Sequence, residues 1–198
     1  TFDLSRVTVE KGYSSMLYGA NTLGGAINLV SRRPTRPWEV GASMGLVSDR
    51  ASGSVDTTWQ SVDAGTRQDH WYAQASASVY DQPSYVLPAS FVPHPAEDGG
   101  PRNNSLAHDR KFNLKLAWLP RGDDEYTLNV IDQHGSKGTP PYAGDAGITP
   151  RYWTWPYWDK QSYYGATRTT LGGQVLKLRV FHDTFRNALF SYDDASYT

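Results

Sequence analysis

From Trp38 onward the chain alternates apolar and polar residues with a period of two. That period marks strands with one apolar face and one polar face. Trp38, Val40, Ala42, Met44 and Leu46 oppose Glu39, Gly41, Ser43 and Gly45. Val55, Thr57 and Trp59 oppose Asp56, Thr58 and Gln60. Trp71, Ala73, Ala75, Ala77 and Val79 oppose His70, Tyr72, Gln74, Ser76, Ser78 and Tyr80, the clearest segment of all. Phe112, Leu114, Leu116 and Trp118 oppose Lys111, Asn113 and Lys115, and Tyr126, Leu128 and Val130 oppose Thr127 and Asn129. Tyr163 to Leu171 is a weaker strand; Gln174 to Tyr192 is long, with Leu176, Leu178 and Val180 set against Lys177 and Arg179. No stretch reads as a long amphipathic helix. The pattern predicts an all-β chain of about seven antiparallel strands in this part.

The connections differ in length. Ala64 to Asp69, Pro120 to Asp124 and Gly172-Gly173 are short, and PRGDD is rich in turn formers. Asp81 to His108 and Gly135 to about Gln161 are long, and only Ser48 to Ser52 breaks the alternation of short and long. The strands run about ten residues, the length a tilted strand takes to cross a bilayer. Short turns on one side and long loops on the other match outer-membrane barrels, in which the long loops are extracellular. Trp38, Trp59, Trp71, Tyr80, Trp118 and Tyr126 fall at strand ends. They suit an interfacial girdle, where the apolar body and polar tip of a ring meet different environments. The alternative for these rings is packing between the sheets of a soluble protein.

Residues 7–34 follow another rule. Two short β-type runs, VTVE and GAINLVS, flank a loop dense in Gly12, Ser14, Ser15, Gly19, Asn21, Gly24 and Gly25. Glycine admits backbone conformations closed to other residues and lets another chain approach closely. The segment is predicted as strand, compact loop and strand, with Met16, Leu17, Tyr18 and Leu23 anchoring the loop. No phosphate-binding glycine motif occurs in it.

Composition narrows the classes. The 198 residues carry a formal charge of −1, no cysteine, seven Trp and thirteen Tyr. There is no basic stripe of the kind that binds nucleic acid, no disulfide framework, and no apolar run long enough for a membrane helix. Alternating strands hide membrane barrels from hydropathy averages. His70, His94, His108, His134 and His182 lack metal-ligand spacing and are read as loop or lumen residues. No catalytic constellation, metal site or cofactor site stands out, so the chain is not read as an enzyme. The unusual loop is Thr139 to Lys160, TPPYAGDAGITPRYWTWPYWDK. Tyr142, Arg151, Tyr152, Trp153, Trp155 and Tyr157 make it a candidate ligand-binding surface, since exposed rings with an arginine stack on a ligand and pair with its carboxylates. The alternative is that these rings pack the loop onto the rim. Pro83 to Asn104, rich in Pro, Ser, Asn and Gly, is predicted to be mobile.

The run EKGYSSMLYGANTLGGAINLVSRRP, from Glu10 to Pro34, resembles the end of the plug domain of TonB-dependent outer-membrane receptors. In that family a Glu-x-x-x-Gly-Pro-Ser/Ala-Ser-x-Leu-Tyr-Gly run leads to Gly-Gly-x-Ile-Asn and a basic-Pro exit. Glu10, Ser15, Leu17, Tyr18, Gly19, Gly24, Gly25, Ile27, Asn28, Arg33 and Pro34 fall on the pattern. Tyr13 stands where the family usually has proline, and Gly12 follows Glu10 by two positions. The resemblance implies that residues 1–34 end a plug domain and residues 35–198 begin a transmembrane antiparallel β-barrel, one that in such transporters has 22 strands. Gly12, Ser15, Tyr18, Gly19, Gly24, Gly25 and Asn28 then serve the plug structurally, and Tyr72, Gln74, Ser76, Asn113 and Lys115 face the lumen. WPYWDK resembles the start of a descending strand in iron-chelate receptors, which favours a structural role for Trp158 and Asp159. The implied function is uptake of a ferric siderophore or related chelate across the outer membrane of a Gram-negative bacterium. Its partners would be outer-membrane lipid and a periplasm-spanning TonB-type coupling protein, whose contact box is expected outside these residues. Two alternatives remain: a soluble secreted carbohydrate-binding β-sandwich, and a non-transporting surface receptor on the same barrel.

Overall fold

The structure is a computed structural model that describes residues 4–12, 24–50, 53–144 and 147–198. It is all-β, with eleven strands and no helix among the described residues. β1 (Leu4–Lys11) and β2 (Gly25–Ser31) pair antiparallel as a separate two-stranded sheet. Seven strands then follow one another as an antiparallel meander: β3 (Glu39–Ser48), β4 (Val55–Arg67), β5 (Trp71–Gln82), β6 (Ala107–Trp118), β7 (Glu125–Thr139), β9 (Trp158–Leu171) and β10 (Gln174–Asn187). Two short strands, β8 (Tyr152–Trp155) and β11 (Phe190–Tyr192), extend the sheet beyond the end of β7. The sheet is open. β3 pairs only with β4 and β10 only with β9, so it is not a closed barrel.

All seven predicted strands are present, with corrected ends. β4 runs through the expected break to Arg67, leaving 68–70 as the turn. The segment 135–161 is not one loop: β7 continues to Thr139, and β8 and the start of β9 lie inside it. The long last strand divides into β10 and β11. The connections at one end of the meander are 68–70, 119–124 and 172–173; those at the other are 49–54, 83–106 and 140–157.

The two faces are inverted relative to a soluble sheet, in which the apolar face is the covered one. The inner face carries Tyr72, Gln74, Ser76, Asn113, Lys115 and Ser162, all buried. The outer face carries Val40, Met44, Val62, Val79, Phe112, Leu116, Leu128 and Leu178, all exposed. Gln74 is 4% exposed and Val40 is 82% exposed, so burial follows the face and not the polarity. The register corrects the faces of β4. Val62 and Ala64 stand opposite Ala77 and Ala75 on the outer face, which places Thr57, Trp59 and Ser61 inside. The indole of Trp59 lies over Gly45, where a β-carbon would collide with the ring. Trp59 and its neighbour Tyr80 therefore do not belong to an outer girdle.

The chain enters the sheet at its short-turn end through a polar junction. Lys115 Nζ donates to Ser31 Oγ at 2.8 Å. Arg33 pairs with Glu125 at 2.9 Å, and the buried Tyr72 hydroxyl donates to the same carboxylate at 2.6 Å. Arg32 reaches Glu39 at 3.0 Å and Asp63 at 3.3 Å. Pro34 is fully buried with its ring against Gly65. The β1–β2 hairpin is thus tied to the inner face, on the side where the polar side chains are covered. Gly12 (φ +87°) and Gly25 (φ +137°) have backbones that glycine favours, Gly12 N donates to Gly24 O, and Asn28 stands opposite Thr8. A β-carbon on Gly25 would collide with the Glu10 carbonyl, so this glycine serves close pairing. Ser15, Tyr18 and Gly19, with Met16, Leu17 and Leu23, lie outside the described residues.

Candidate functional site

The aromatic loop is built onto the long-connection end of the sheet. β8 pairs through Trp153, Thr154 and Trp155 with Thr139, Gly138 and Lys137 of β7, and on its other side with β11. Trp158 then opens β9. This strand addition sets the rings in two rows. One row is Trp153, Trp155, Trp158 and Phe185, with centroids 6.3, 6.0 and 5.0 Å apart and edges turned to faces. The other is Tyr152, Tyr197, Tyr192 and Phe190, spaced 5.9, 5.5 and 6.4 Å. Edge-to-face spacing in this range is favourable beyond the area buried.

Cations sit over these rings. Lys137 Nζ lies 4.0 Å from the Trp158 centroid and 4.9 Å from that of Trp155. The Arg151 guanidinium is 4.8 Å from Trp153, and that of Arg186 is 4.4 Å from Tyr157. An ammonium or guanidinium over a ring face is held by the ring quadrupole and keeps its remaining donors for other groups. The indole N–H of Trp153 donates to Ser191 Oγ at 3.1 Å. Farther down the same wall, Asp183 accepts from the Tyr164 hydroxyl at 2.8 Å, with Lys160 at 3.9 Å. Burial pushes the Tyr197 phenol up, so it stays protonated.

Of the six residues expected to bind a ligand, Trp153 and Trp155 stand in the first row with Arg151 over Trp153, Tyr152 stands in the second row, and Tyr157 lies under Arg186. Tyr142 instead turns back on its own loop beside Gly144. Lys137, Trp158 and Phe185 belong to the row of Trp153 and Trp155, whereas Arg186, opposite Asp159, lies on the other face of β10 with Tyr157; all four escape a reading by composition. Lys137 sits in what reads as a loop, and Arg186 in what reads as a plain strand. The surface offers stacking faces and positive charge. No three His, Asp or Glu side chains converge on a metal position among the described residues.

The outer face has its own order. Trp38, Trp71, Trp118 and Tyr126 stand at the short-turn rim, with Trp118 and Tyr126 5.5 Å apart. Next comes the apolar band. It holds a shallow groove of about 560 Å³ between Ala73, Leu116, Leu128, Gly165 and Leu178. Toward the long connections it gives way to charge. His108 pairs with Asp81, and His134 stands between Asp132 at 3.2 Å and Asp159 at 3.3 Å. His108, His134 and His182 are therefore on strands, on the outer face rather than in loops or a lumen, because the alternation of β6, β7 and β10 continues past their apolar parts. His70 lies in a turn and His94 in a connection, as expected. No protein-family model, curated protein or solved structure matches this chain.

Proposed function

We propose that this chain is part of a TonB-dependent outer-membrane receptor, carrying the end of the plug and the first strands of the barrel. The observation that carries the reading is the inversion of the sheet's faces. A water-soluble sheet covers its apolar face; here that face is exposed, and the polar face is the covered one. A lipid environment asks for this arrangement, with lipid-facing and lumen-facing residues alternating along each strand. The dimensions agree. Trp71 to Val79 is eight residue steps on the outer face. That is about 26 Å along the strand, or about 20 Å in height at a 40° tilt, close to the band of about 25 Å that such barrels present. The aromatic rim at the short-turn end has the placement of an interfacial girdle. In this reading the free edges of β3 and β10 are where further strands pair, and the tethered β1–β2 hairpin is the plug's exit.

The receptor's ligand is a ferric siderophore or a similar chelate, received at the long-connection end. Lys137 over Trp155 and Trp158, and Arg151 over Trp153, favour a ligand with carboxylate or other anionic groups over a neutral sugar, because they set positive charge beside the rings. Transport is binding and gating, energised through a periplasm-spanning TonB-type partner, with no covalent chemistry. The test is expression of the full gene. The product should require detergent, run heat-modifiably on a gel, and take up labelled ferric chelate under iron limitation. A soluble monomer would overturn the membrane reading. A detergent-dependent barrel without uptake would favour a non-transporting receptor on the same scaffold.

A further inference from the structure

The connection 83–106, proline-rich and expected to be mobile, is held along its length. Val86 N donates to Asp56 at 3.3 Å and Tyr85 N to Ser105 Oγ at 3.2 Å, while Gln82 Nε2 donates to Ser105 O at 2.7 Å. The first and last of these tie the connection to β4 and β5, and the second closes it on itself. Two further residues, Arg102 and Asn104, tie it to the segment that carries the aromatic loop. The Glu97 side chain is fully covered and accepts from Arg102 and from Asn103 N. Its other oxygen, Oε1, is buried with no hydrogen-bond partner. The second guanidinium nitrogen of Arg102 donates across to the Pro141 carbonyl. Asn104 Nδ2 donates to Thr139 O at 2.9 Å and to Trp153 O at 2.7 Å. Asn104 has φ +52°, a left-handed conformation that asparagine tolerates better than most residues. The fit is close: Gly138 N donates to Leu106 O, and a β-carbon on Gly138 would collide with Asn104.

We propose that Arg102 and Asn104 make the 83–106 connection and the aromatic strand β8 a single body, so that displacement of either long connection moves the other. The fork geometry of arginine is what permits this. One nitrogen neutralises a buried carboxylate of its own connection while the other holds a carbonyl of the next. Without that partner the Glu97 charge is left covered and unpaired, a state costly enough to drive the segment out toward water. Asn104 supplies the second, uncharged link. Arg102 and Asn104 act as positioning residues for the aromatic surface, since the carbonyl that Asn104 holds belongs to Trp153. The coupling concerns the chain's own segments, and its test involves neither ligand nor uptake, so it stands or falls apart from the receptor reading.

These 198 residues contain no cysteine, so two introduced thiols are the only ones among them, and any cysteine elsewhere in the full-length protein is first replaced by serine. Val92→Cys on one connection and Ile148→Cys on the other are both exposed. Nitroxide labels there should give a narrow distance distribution in the full-length protein. Arg102→Ala and Asn104→Ala should each broaden it. Amide exchange across 139–155 should rise by about an order of magnitude or more, the scale of one lost charged hydrogen bond, with β5 and β6 unchanged. Should Arg102→Ala fail to fold, Arg102→Lys decides. It keeps a charge on Glu97 but cannot hold Pro141 as well, so the distribution should broaden while Asn103 stays protected. An unchanged distribution, or exchange that rises only within 83–106, would overturn the coupling.

Discussion

Replacing Ala75 by arginine puts the inverted faces to a quantitative test. Ala75 lies on the outer face of β5, four residues from Trp71 and four from Val79, and so at the middle of the apolar band. Its register partners are Ala64 and Leu114, so no carboxylate stands opposite it. At a strand rise of about 3.3 Å and a tilt near 40°, the new guanidinium starts about 10 Å from either edge of the band. In lipid an arginine at midplane costs about 2–4 kcal/mol, and near an interface about 0–1 kcal/mol. The matched control is Gln161→Arg, on the same face of β9 but beyond the apolar part, opposite Asp132. In a water-exposed sheet both are surface substitutions and stay within about 0.5 kcal/mol of the parent. The assay is denaturant unfolding of the full-length protein folded into phosphatidylcholine vesicles. Ala75→Arg should lose about 2–4 kcal/mol, a population ratio changed by about 30- to 900-fold, and Gln161→Arg no more than about 1 kcal/mol. Equal and small losses at both positions would refute the claim that this face meets lipid.

Three further outcomes follow from the junction, a turn and the aromatic surface. Glu125→Ala strips the acceptor from the buried Tyr72 hydroxyl and the partner from Arg33; it should loosen the β1–β2 hairpin by about 1–3 kcal/mol, read as faster amide exchange there, and unchanged protection would show that the hairpin is held elsewhere. Thr170 N donates to the Asp124 carboxylate at 2.7 Å, which with the nearby Arg121 guanidinium holds its carboxyl below the ordinary aspartate range. The folded value is then below the unfolded one, so this turn contributes stability above about pH 4 and loses it as the pH falls through the lowered value. Asp124→Asn should flatten that part of the thermal-midpoint curve between pH 7 and pH 3, and an identical acid loss in the variant would dismiss the turn as its source. Lys137→Met keeps the packing over Trp155 and Trp158 but removes the charge; affinity for a carboxylate-bearing ferric chelate, followed by tryptophan quenching, should fall by about tenfold, and an unchanged affinity would remove Lys137 from the site.

The sequence pattern was most informative where alternation is strong. Trp71 to Val79 announces its faces residue by residue, and the register of β5 with β6 keeps them as read. It was least informative in β4, where Thr57, Thr58, Gln60 and Ser61 give no contrast. There the pairing with Ala75 and Ala77 decides, and it turns Trp59 inward. β8 and β11 are too short to show a period, so strand addition to the end of β7 was hidden, and with it the place of Lys137. Of the described glycines of 7–34, Gly25 is the one at which close strand pairing excludes a side chain. Period two assigns a side chain to a face but not to a partner, so neither Arg33–Glu125 nor Arg102–Pro141 was legible. The same limit explains why a proline-rich connection read as mobile is in fact held at several points.

The inner face makes a demand of its own. Gln74 Oε1, Asn113 Oδ1 and Asn129 Oδ1 are buried there without a hydrogen-bond partner among the described groups. By register all three belong to the face that carries Tyr72 and Lys115. A buried polar atom left unpaired costs about 1–3 kcal/mol, so three together are a large part of the stability of a typical domain. An apolar sheet packed against this face would leave every one of them unsatisfied. Water, or a surface with its own donors and acceptors, satisfies them. A hydrated or polar counterpart therefore suits the inner face better than the apolar core of a β-sandwich. Lys115 shows the kind of contact that suits it, donating to the Ser31 hydroxyl of the tethered hairpin. The receptor proposal supplies both environments at once, lipid outside and a hydrated, polar plug inside. Replacing Gln74 by leucine separates the two cases. Against a polar interior it removes one unpaired acceptor but offers a methyl-rich surface to water or plug, so it should bring little or no gain. Against an apolar partner sheet it should stabilise by about 1–3 kcal/mol, and a gain of that size would overturn the assignment of the inner face.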